Sequence, residues 1–291
     1  MIDHPRPADE AALRLIWREV FNDTGEFIDS FFGRRYSADT ALVYRTEGII
    51  ASMIFFPGYD FKVNDSMYRL GYICGAATLP GQRQKGLMGR LLEASLEVMR
   101  SRGDSFSALV PASDSLYEYY RRFGYREIFF RKRFSLERRD IKSGGSFSLE
   151  PMQDYGTLYR LYVSGVSKLP VAVIHSFESY RVVTDEFMMT GGQILVSSDH
   201  RLYCFVRVKE GTVSIREMFG EPDTGISYHE VAGSLLEYYP EAGSVHAEAP
   251  AVYEGIDSEH FRTGMARGLH NEADIMLKNI TGAYMKFMLE E

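Results

Sequence analysis

The stretch Thr78 to Leu92, "TLPGQRQKGLMGRLL", sets three glycines and a proline between two apolar runs. Before it, "SMYRLGYICGAATL" reads as a strand. After it, Met88, Leu92, Leu96 and Met99 recur at helical spacing to about Arg102. A strand that runs straight into a helix through a glycine-bearing loop aims free backbone N–H groups at one point, and the helix dipole adds partial positive charge there. Such a junction takes up phosphate readily; the glycines permit close approach, and Arg83 and Lys85 add charge. The pattern is neither a P-loop, which needs Gly-x-x-x-x-Gly-Lys-Ser/Thr, nor a GxGxxG fingerprint. Taken alone it fits a phosphate seat or a plain basic turn ahead of a core helix.

The surrounding pattern is regular. "PADEAALRLIWREVF" and "GEFIDSFFGRRY" read as two helices. "TALVYRTEG", "GIIASMIFFPGYDFKV" and "SMYRLGYICGAATL" read as a strand meander, with hairpin turns at Glu47-Gly48 and Asn64-Asp65. After the quoted helix come a buried strand, "GDSFSALVP", a helix with an Asp cap and a Gly stop, "DSLYEYYRRFG", and an outgoing strand, "YREIFFRKRFSLE". The polar, Gly/Ser-rich run "RRDIKSGGS", residues 138–146, marks a boundary, giving domains 1–140 and 146–291. The second half starts over. "MQDYGTLYRLYVSGV" and "VIHSFESYRVVTDEFM" read as helices, "GGQILVSS", "RLYCFVRVKEG" and "TVSIREMFG" as a meander, "SYHEVAGSLLEYY" as a helix and "GSVHAEAP" as a strand. The order of elements repeats, as in a degenerate internal duplication. The loop "EPDTGIS" of the second half lacks Arg and the glycine series. "FRTGMARGLH" reads as a strand and turn of the second domain.

Composition narrows the function. No apolar run approaches the roughly 18–20 residues of a membrane helix, and the N-terminus lacks a basic head followed by an apolar core, so no signal peptide is expected. A net charge of −7 argues against general nucleic-acid binding. Cys74 and Cys204 lie in apolar segments and read as core residues, which with the absence of an export signal points to the cytoplasm. The seven histidines show no metal-site spacing, and no metal is expected.

The residues Arg83, Gly86 and Met88, followed by a helix, a strand and "YYRRFGY", resemble the GNAT superfamily of acyl-CoA-dependent N-acetyltransferases. That family carries Gln/Arg-x-x-Gly-x-Gly/Ala at a strand-to-helix junction. Met88 departs from the small third residue and is similar to the form found in the Eis-like branch, whose chains carry tandem GNAT-type domains, the second without a CoA motif. The branch usually adds a sterol-carrier-like third domain, and none is expected within these 291 residues. The implied fold class is α+β, a mixed α/β sheet in tandem GNAT-like domains with the second degenerate and shaping the acceptor cleft.

The resemblance also assigns roles. The backbone of Ala76, Ala77 and Thr78 would pair with the pantetheine arm, on a strand that splays from its neighbour. The amides of Gln84, Lys85, Gly86, Leu87, Met88 and Gly89, with Arg83, would hold the pyrophosphate of acetyl-CoA. Ser113 and Asp114 would lie near the acetyl group. Tyr120 would protonate the departing thiolate, a role that suits a phenol of ordinary pKa near 10; Tyr117 and Tyr119 read as core aromatics. The amine attacks the thioester directly, helped by positioning and by backbone N–H groups on the carbonyl. No acid lies on the strand before the loop. In the Eis-like branch the terminal carboxylate reaches the active site, which makes Glu291 the candidate base; water relay or an amine already neutral are the alternatives. The acceptor is a small-molecule or peptidic primary amine, and relatives in the branch include homo-oligomers. The competing reading is a non-catalytic acyl-CoA binding or sensing protein.

Overall fold

The structure, a computed structural model, describes residues 1–141, 147–221, 225–253 and 258–287. In chain order its elements begin with β1 (Ile2–Asp3), α1 (Glu10–Phe21), α2 (Gly25–Arg34), β2 (Ala41–Thr46), β3 (Ile49–Phe55), β4 (Gly58–Val63) and β5 (Ser66–Thr78). α3 (Leu87–Arg102), β6 (Phe106–Leu109), α4 (Asp114–Arg121) and β7 (Arg126–Glu137) follow. Then come β8 (Leu149–Pro151), α5 (Tyr155–Val166), β9 (Val171–Ile174), α6 (Phe177–Met189), β10 (Gln193–Ser197), β11 (Leu202–Lys209) and β12 (Thr212–Gly220). The last are α7 (Tyr228–Tyr238), β13 (Ser244–Pro250), β14 (Glu259–Gly268) and α8 (Asn271–Leu277). The fold is a mixed α/β one, as the sequence pattern implies. No helix among the described residues is long and apolar enough to cross a membrane.

Two compact units emerge: Met1–Ile128 with Gly264–Ile280, and Phe129–Thr263 with Thr281–Glu291. The division falls inside β7. Residues 142–146 of the polar run lie outside the described residues.

In the first unit β5 is the central strand. Its first half pairs antiparallel with β4, from Val63↔Ser66 to Gly58↔Gly71, and its second half with β3. Its other edge pairs in parallel with β6, from Leu70↔Phe106 to Ile73↔Leu109. The run "GIIASMIFFPGYDFKV" is therefore two strands. Pro57 has no N–H to continue a ladder, and the chain changes from one half of β5 to the other there. The turns at Glu47-Gly48 and Asn64-Asp65 form as expected, with Glu47, Gly48 and Asn64 at positive φ. Strand alternation sorts the core. Met53, Phe55 and Ala77 point to one face, under Trp17 of α1 and Phe31 and Phe32 of α2. Ile54 and Ile73 point to the other, under Leu91, Leu92, Leu96 and Met99 of α3 and Tyr117 and Tyr120 of α4. Met265 to Gly268 of β14 pair antiparallel with β6, and Met265 and Leu269 enter this second core. "FRTGMARGLH" is a strand and turn, then, but from Gly264 onward it belongs to the first unit.

In the second unit β10, β11 and β12 form an antiparallel meander, and α7 crosses over to β13, which pairs in parallel with β12 from Thr212↔Ser244 to Ile215↔Ala247. β13 also pairs antiparallel with β7. β9 takes Val173 and Ile174, the first two residues of the stretch expected to be a helix; α6 starts only at Phe177, where the Ser176 hydroxyl caps it by accepting from the amide of Ser179. Cys204 is fully buried, whereas Cys74 is half-buried against the Trp17 cluster.

Candidate active site

The site begins where two parallel strands part. The ladder between β5 and β6 stops at Ile73↔Leu109, yet β5 runs on to Thr78. The register against β3 slips at the same place: Met53 faces Ala77 but Phe55 faces Cys74. Gly75 supplies the bend. Its φ is +54°, and a β-carbon there would stand 2.5 Å from the Phe55 ring and 2.6 Å from Trp17, so only glycine fits. Beyond the bulge the Ala77 carbonyl accepts the Ser52 hydroxyl at 2.8 Å, on the β3 side. Alternation turns the main-chain groups of Ala76 and Thr78 the other way, to the open edge. The Thr78 carbonyl there accepts from Arg83 Nε at 3.2 Å.

The loop then prepares the helix start. Gln84 and Gly86 both hold positive φ, +62° and +72°. Such alternation turns successive N–H groups into one concavity. Gly86 is the N-cap of α3, and no side chain caps the helix. The first amides of α3, from Leu87 onward, thus keep their donor capacity and the positive end of the dipole.

A cleft of about 530 Å³ lies at this junction. Ala76, Thr78, Arg83, Gln84 and the run Gly86 to Gly89 form one side, and Leu116, Tyr119 and Tyr120 of α4 the other. Leu116, Tyr119 and Tyr120 stand at i, i+3 and i+4, one face of a helix. Tyr120 is 8% exposed, and its ring packs edge-on to Tyr119 and Tyr125 at centroid distances of 5.2 and 5.8 Å. Its hydroxyl has no hydrogen-bond partner among the described residues, and burial, with a contribution from Tyr119, pushes the phenol up to about 12. By contrast the Tyr125 hydroxyl is committed to Ser107 Oγ at 2.7 Å.

The structure gathers most of the residues singled out in the sequence and leaves four aside. The main chain of Ala77, expected to pair with the pantetheine arm, faces β3, where its carbonyl accepts the Ser52 hydroxyl, and its side chain faces the Trp17 cluster. Lys85 folds back, donating to Gly81 O and to Gln82 Oε1 at 2.8 Å. Ser113 is the N-cap of α4 and Asp114 its first residue; both are exposed and neither lines the cleft. Glu291 lies outside the described residues. Tyr119, expected in the core, is half-buried and lines the cleft, as do Gln82 and Leu116. The i, i+3 relation of Tyr119 to Leu116 was the available signal. Met88 both lines the cleft and packs on the core that holds Tyr120.

The second unit has the same opening in altered form. The β12–β13 ladder ends at Ile215↔Ala247, and Arg216 is bulged out, since Phe205 faces Glu217 while Val206 faces Ile215. Here the place beyond the last rung is taken by the chain itself. Tyr284 and Tyr203 donate to the two oxygens of Glu217, each at 2.6 Å. Lys286 Nζ, Arg131 and Arg216 surround Glu248 at 3.3, 2.6 and 3.0 Å. Burial raises the Glu217 carboxyl, whereas for Glu248 the three cations outweigh burial and bring it to about 2. The start of α7 is closed too: Ser227 and Glu230 form a capping box, which satisfies the amides and adds an anion. Residues 222–224 of the preceding loop lie outside the described residues.

Residues 2–128 match the family model described as an acetyltransferase (GNAT) domain. No curated protein matches the sequence. Among solved structures, a protein of unknown function from Enterococcus faecalis V583, described as a probable N-acyltransferase, superposes with a TM-score of 0.79 at 14% identity, over 92% of this chain and 72% of that one. A GCN5-related N-acetyltransferase from Kribbella flavida gives 0.71 at 17% identity, covering 92% and 70%. Eis1 from Mycobacterium abscessus gives 0.70 at 12%, covering 92% and 74%. At these identities the likeness is one of fold, and it runs through both units.

Proposed function

We propose that the chain is an acetyl-CoA-dependent N-acetyltransferase that moves an acetyl group to a primary amine by direct attack. The observation that carries this reading is the meeting, in one cleft, of an uncapped helix start with two positive-φ residues, an open strand edge and a buried phenol. The GNAT match over residues 2–128 supports it. Bound acetyl-CoA supplies an activated acyl carbon and a thiolate leaving group.

The chain's own groups do the rest. The amides from Gln84 to Gly89 take the pyrophosphate, with Arg83 at the rim. The main-chain groups of Ala76 and Thr78 on the open edge of β5 orient the pantetheine arm, which competes with Arg83 Nε for the Thr78 carbonyl. Tyr120 holds a proton at Oη throughout the physiological range, because burial keeps the phenol neutral. A phenol near 12 is a weak acid toward a thiol of ordinary pKa of about 8.5, but the same dry pocket raises the thiol as well, which narrows the gap. Among the described residues of the second unit the start of α7 is already capped by Ser227 and Glu230, which leaves the donor to the first unit. The base proposed from the resemblance is the terminal carboxylate of Glu291, with water relay or an already neutral amine as the alternatives.

Tyr120→Phe tests the assignment. It removes one oxygen that has no hydrogen-bond partner among the described residues, so the fold survives, and kcat falls by about 10²-fold or more with acetyl-CoA affinity kept. Transfer at the wild-type rate would sink the role of Tyr120. Undiminished acyl-CoA binding with no transfer to any amine by the wild-type chain would favour the binding or sensing reading.

A further inference from the structure

The end of β5 gives the cleft a rigid edge. Ala77 and Leu79 turn their main-chain groups toward β3: the Ala77 carbonyl accepts the Ser52 hydroxyl at 2.8 Å, and the Leu79 amide donates to Ala51 O at 3.0 Å. Thr78, between them, turns its carbonyl the other way, to the open edge. Its side chain is held from behind. Ser52 is fully buried and gives its one hydroxyl proton to Ala77 O, so in the 2.7 Å contact between the two hydroxyls Thr78 Oγ1 donates to Ser52 Oγ. The Thr78 carbonyl is therefore a fixed target.

Arg83 sits on that target. Pro80–Gln82 form one turn of 3₁₀ helix, with Gln82 N donating to Leu79 O at 2.8 Å and Arg83 N to Pro80 O at 3.3 Å. The reversal brings the guanidinium back over the strand, where Nε donates to Thr78 O at 3.2 Å. Lys85, the other cation of the loop, is turned back in the same way, onto Gly81 O at 3.3 Å and Gln82 Oε1 at 2.8 Å. Both loop cations thus rest on neutral acceptors of the chain itself, beside the amides that Gln84 and Gly86 turn into one concavity.

A carbonyl has two lone pairs, so the conflict at Thr78 is one of space. A planar guanidinium against the strand edge stands where an arm pairing with Ala76 and Thr78 must run. A neutral carbonyl is also its weaker partner, because a guanidinium makes shorter, stronger and often bidentate bonds to phosphate oxygens. A ligand that brings a diphosphate to the amides from Gln84 to Gly89 offers Arg83 the better partner within the same cleft. A ligand without one does not.

We infer, on the acetyl-CoA reading above, that Arg83 is a specificity residue that works as a latch. It covers the Thr78 edge against thioesters that lack a diphosphate, and it leaves that edge for the diphosphate of those that carry one. The two parts of the donor are therefore read together: capture of Arg83 by the diphosphate raises the affinity of the strand for the arm.

The test offers the two parts separately, as S-acetylpantetheine and inorganic pyrophosphate, in ligand-observed NMR titrations of the full chain. Saturating pyrophosphate should tighten S-acetylpantetheine binding by the wild type about three- to tenfold. Arg83 is exposed and packs no core, so Arg83→Ala folds. The variant should bind S-acetylpantetheine alone more tightly than wild type by about the same factor, gain nothing further from pyrophosphate, and bind acetyl-CoA more weakly. Wild-type affinity for S-acetylpantetheine that ignores pyrophosphate, or no gain for that thioester in the variant, would overturn the latch and leave the acetyltransferase reading intact. Absence of acetyl-CoA binding by the wild type would overturn that reading, and the latch with it.

Discussion

Gln84 and Gly86 adopt left-handed backbone conformations two residues apart, with φ of +62° and +72°, immediately before the first turn of α3. Only one of the two positions has the residue that tolerates this freely. A β-carbon on Gly86 would meet nothing within 4 Å, so Gly86→Ala isolates backbone strain from crowding. It should cost about 1–2 kcal/mol of stability and weaken acetyl-CoA binding at least tenfold, because the chain relieves the strain by turning its amides. Gln84→Gly should stay within about 1 kcal/mol of wild type, the relieved strain offsetting the added freedom of the unfolded chain. Urea denaturation and calorimetry read both.

Gly89 is required for a different reason. A β-carbon there would lie 3.1 Å from Phe123 Cζ and 3.7 Å from Tyr119 Oη. Gly89→Val should displace the Tyr119–Phe123 rim, lowering stability by about 1–3 kcal/mol and raising KM for acetyl-CoA more than it lowers kcat. A Val variant with unchanged KM would show that the rim does not border the ligand.

Alkaline pH offers a third check. The folded pKa of Tyr120 is raised from 10.0 to about 12, so the stabilisation tied to its neutral form is complete below about 10 and is lost as pH rises through 12. That loss amounts to at most about 3 kcal/mol. Tyr120→Phe should therefore lose less stability than wild type between those limits, measured as denaturation midpoints across the range. Identical slopes would mean that the phenol is not desolvated.

Acid pH reports on the second unit. Glu248 is depressed from 4.5 to about 2, so its stabilisation is present above 4.5 and disappears as pH falls toward 2. Glu248→Gln leaves Lys286 and Arg131 buried opposite a neutral group and should cost about 3–5 kcal/mol near neutrality. Glu217 is shifted upward by burial, so Glu217→Gln should cost markedly less, and the difference between the two variants should shrink on acidification. Chemical denaturation at neutral and acid pH distinguishes them.

What could be read from the sequence was whatever the local backbone demands. Glycine at a left-handed N-cap, turns at Glu47-Gly48 and Asn64-Asp65, and the apolar stripe of α3 each need a particular residue at a particular spacing. What could not be read depends on distant partners. Nothing local shows that the β5–β6 ladder ends at Ile73, because that is set by how far β6 extends. Met265 and Leu269 look like core residues of either unit, and only their pairing and packing against β6 and α3 decide which. Tyr119 and Tyr120 are chemically identical neighbours; the roll of α4 puts one half in solvent and the other under the sheet. That Tyr284 and Lys286 reach Glu217 and Glu248 was not visible in the element order of the second half.

Those late residues bear on how the chain is made. The first unit lacks a strand of its sheet until Gly264–Gly268 is available, and the second lacks the partners of Glu217 and Glu248 until residues 284–286 follow. During synthesis neither half can therefore finish on its own while the other is still being translated, as consecutive domains ordinarily do. The first waits for residues up to 268 and the second for residues up to 286 to leave the ribosome, so the two complete close together.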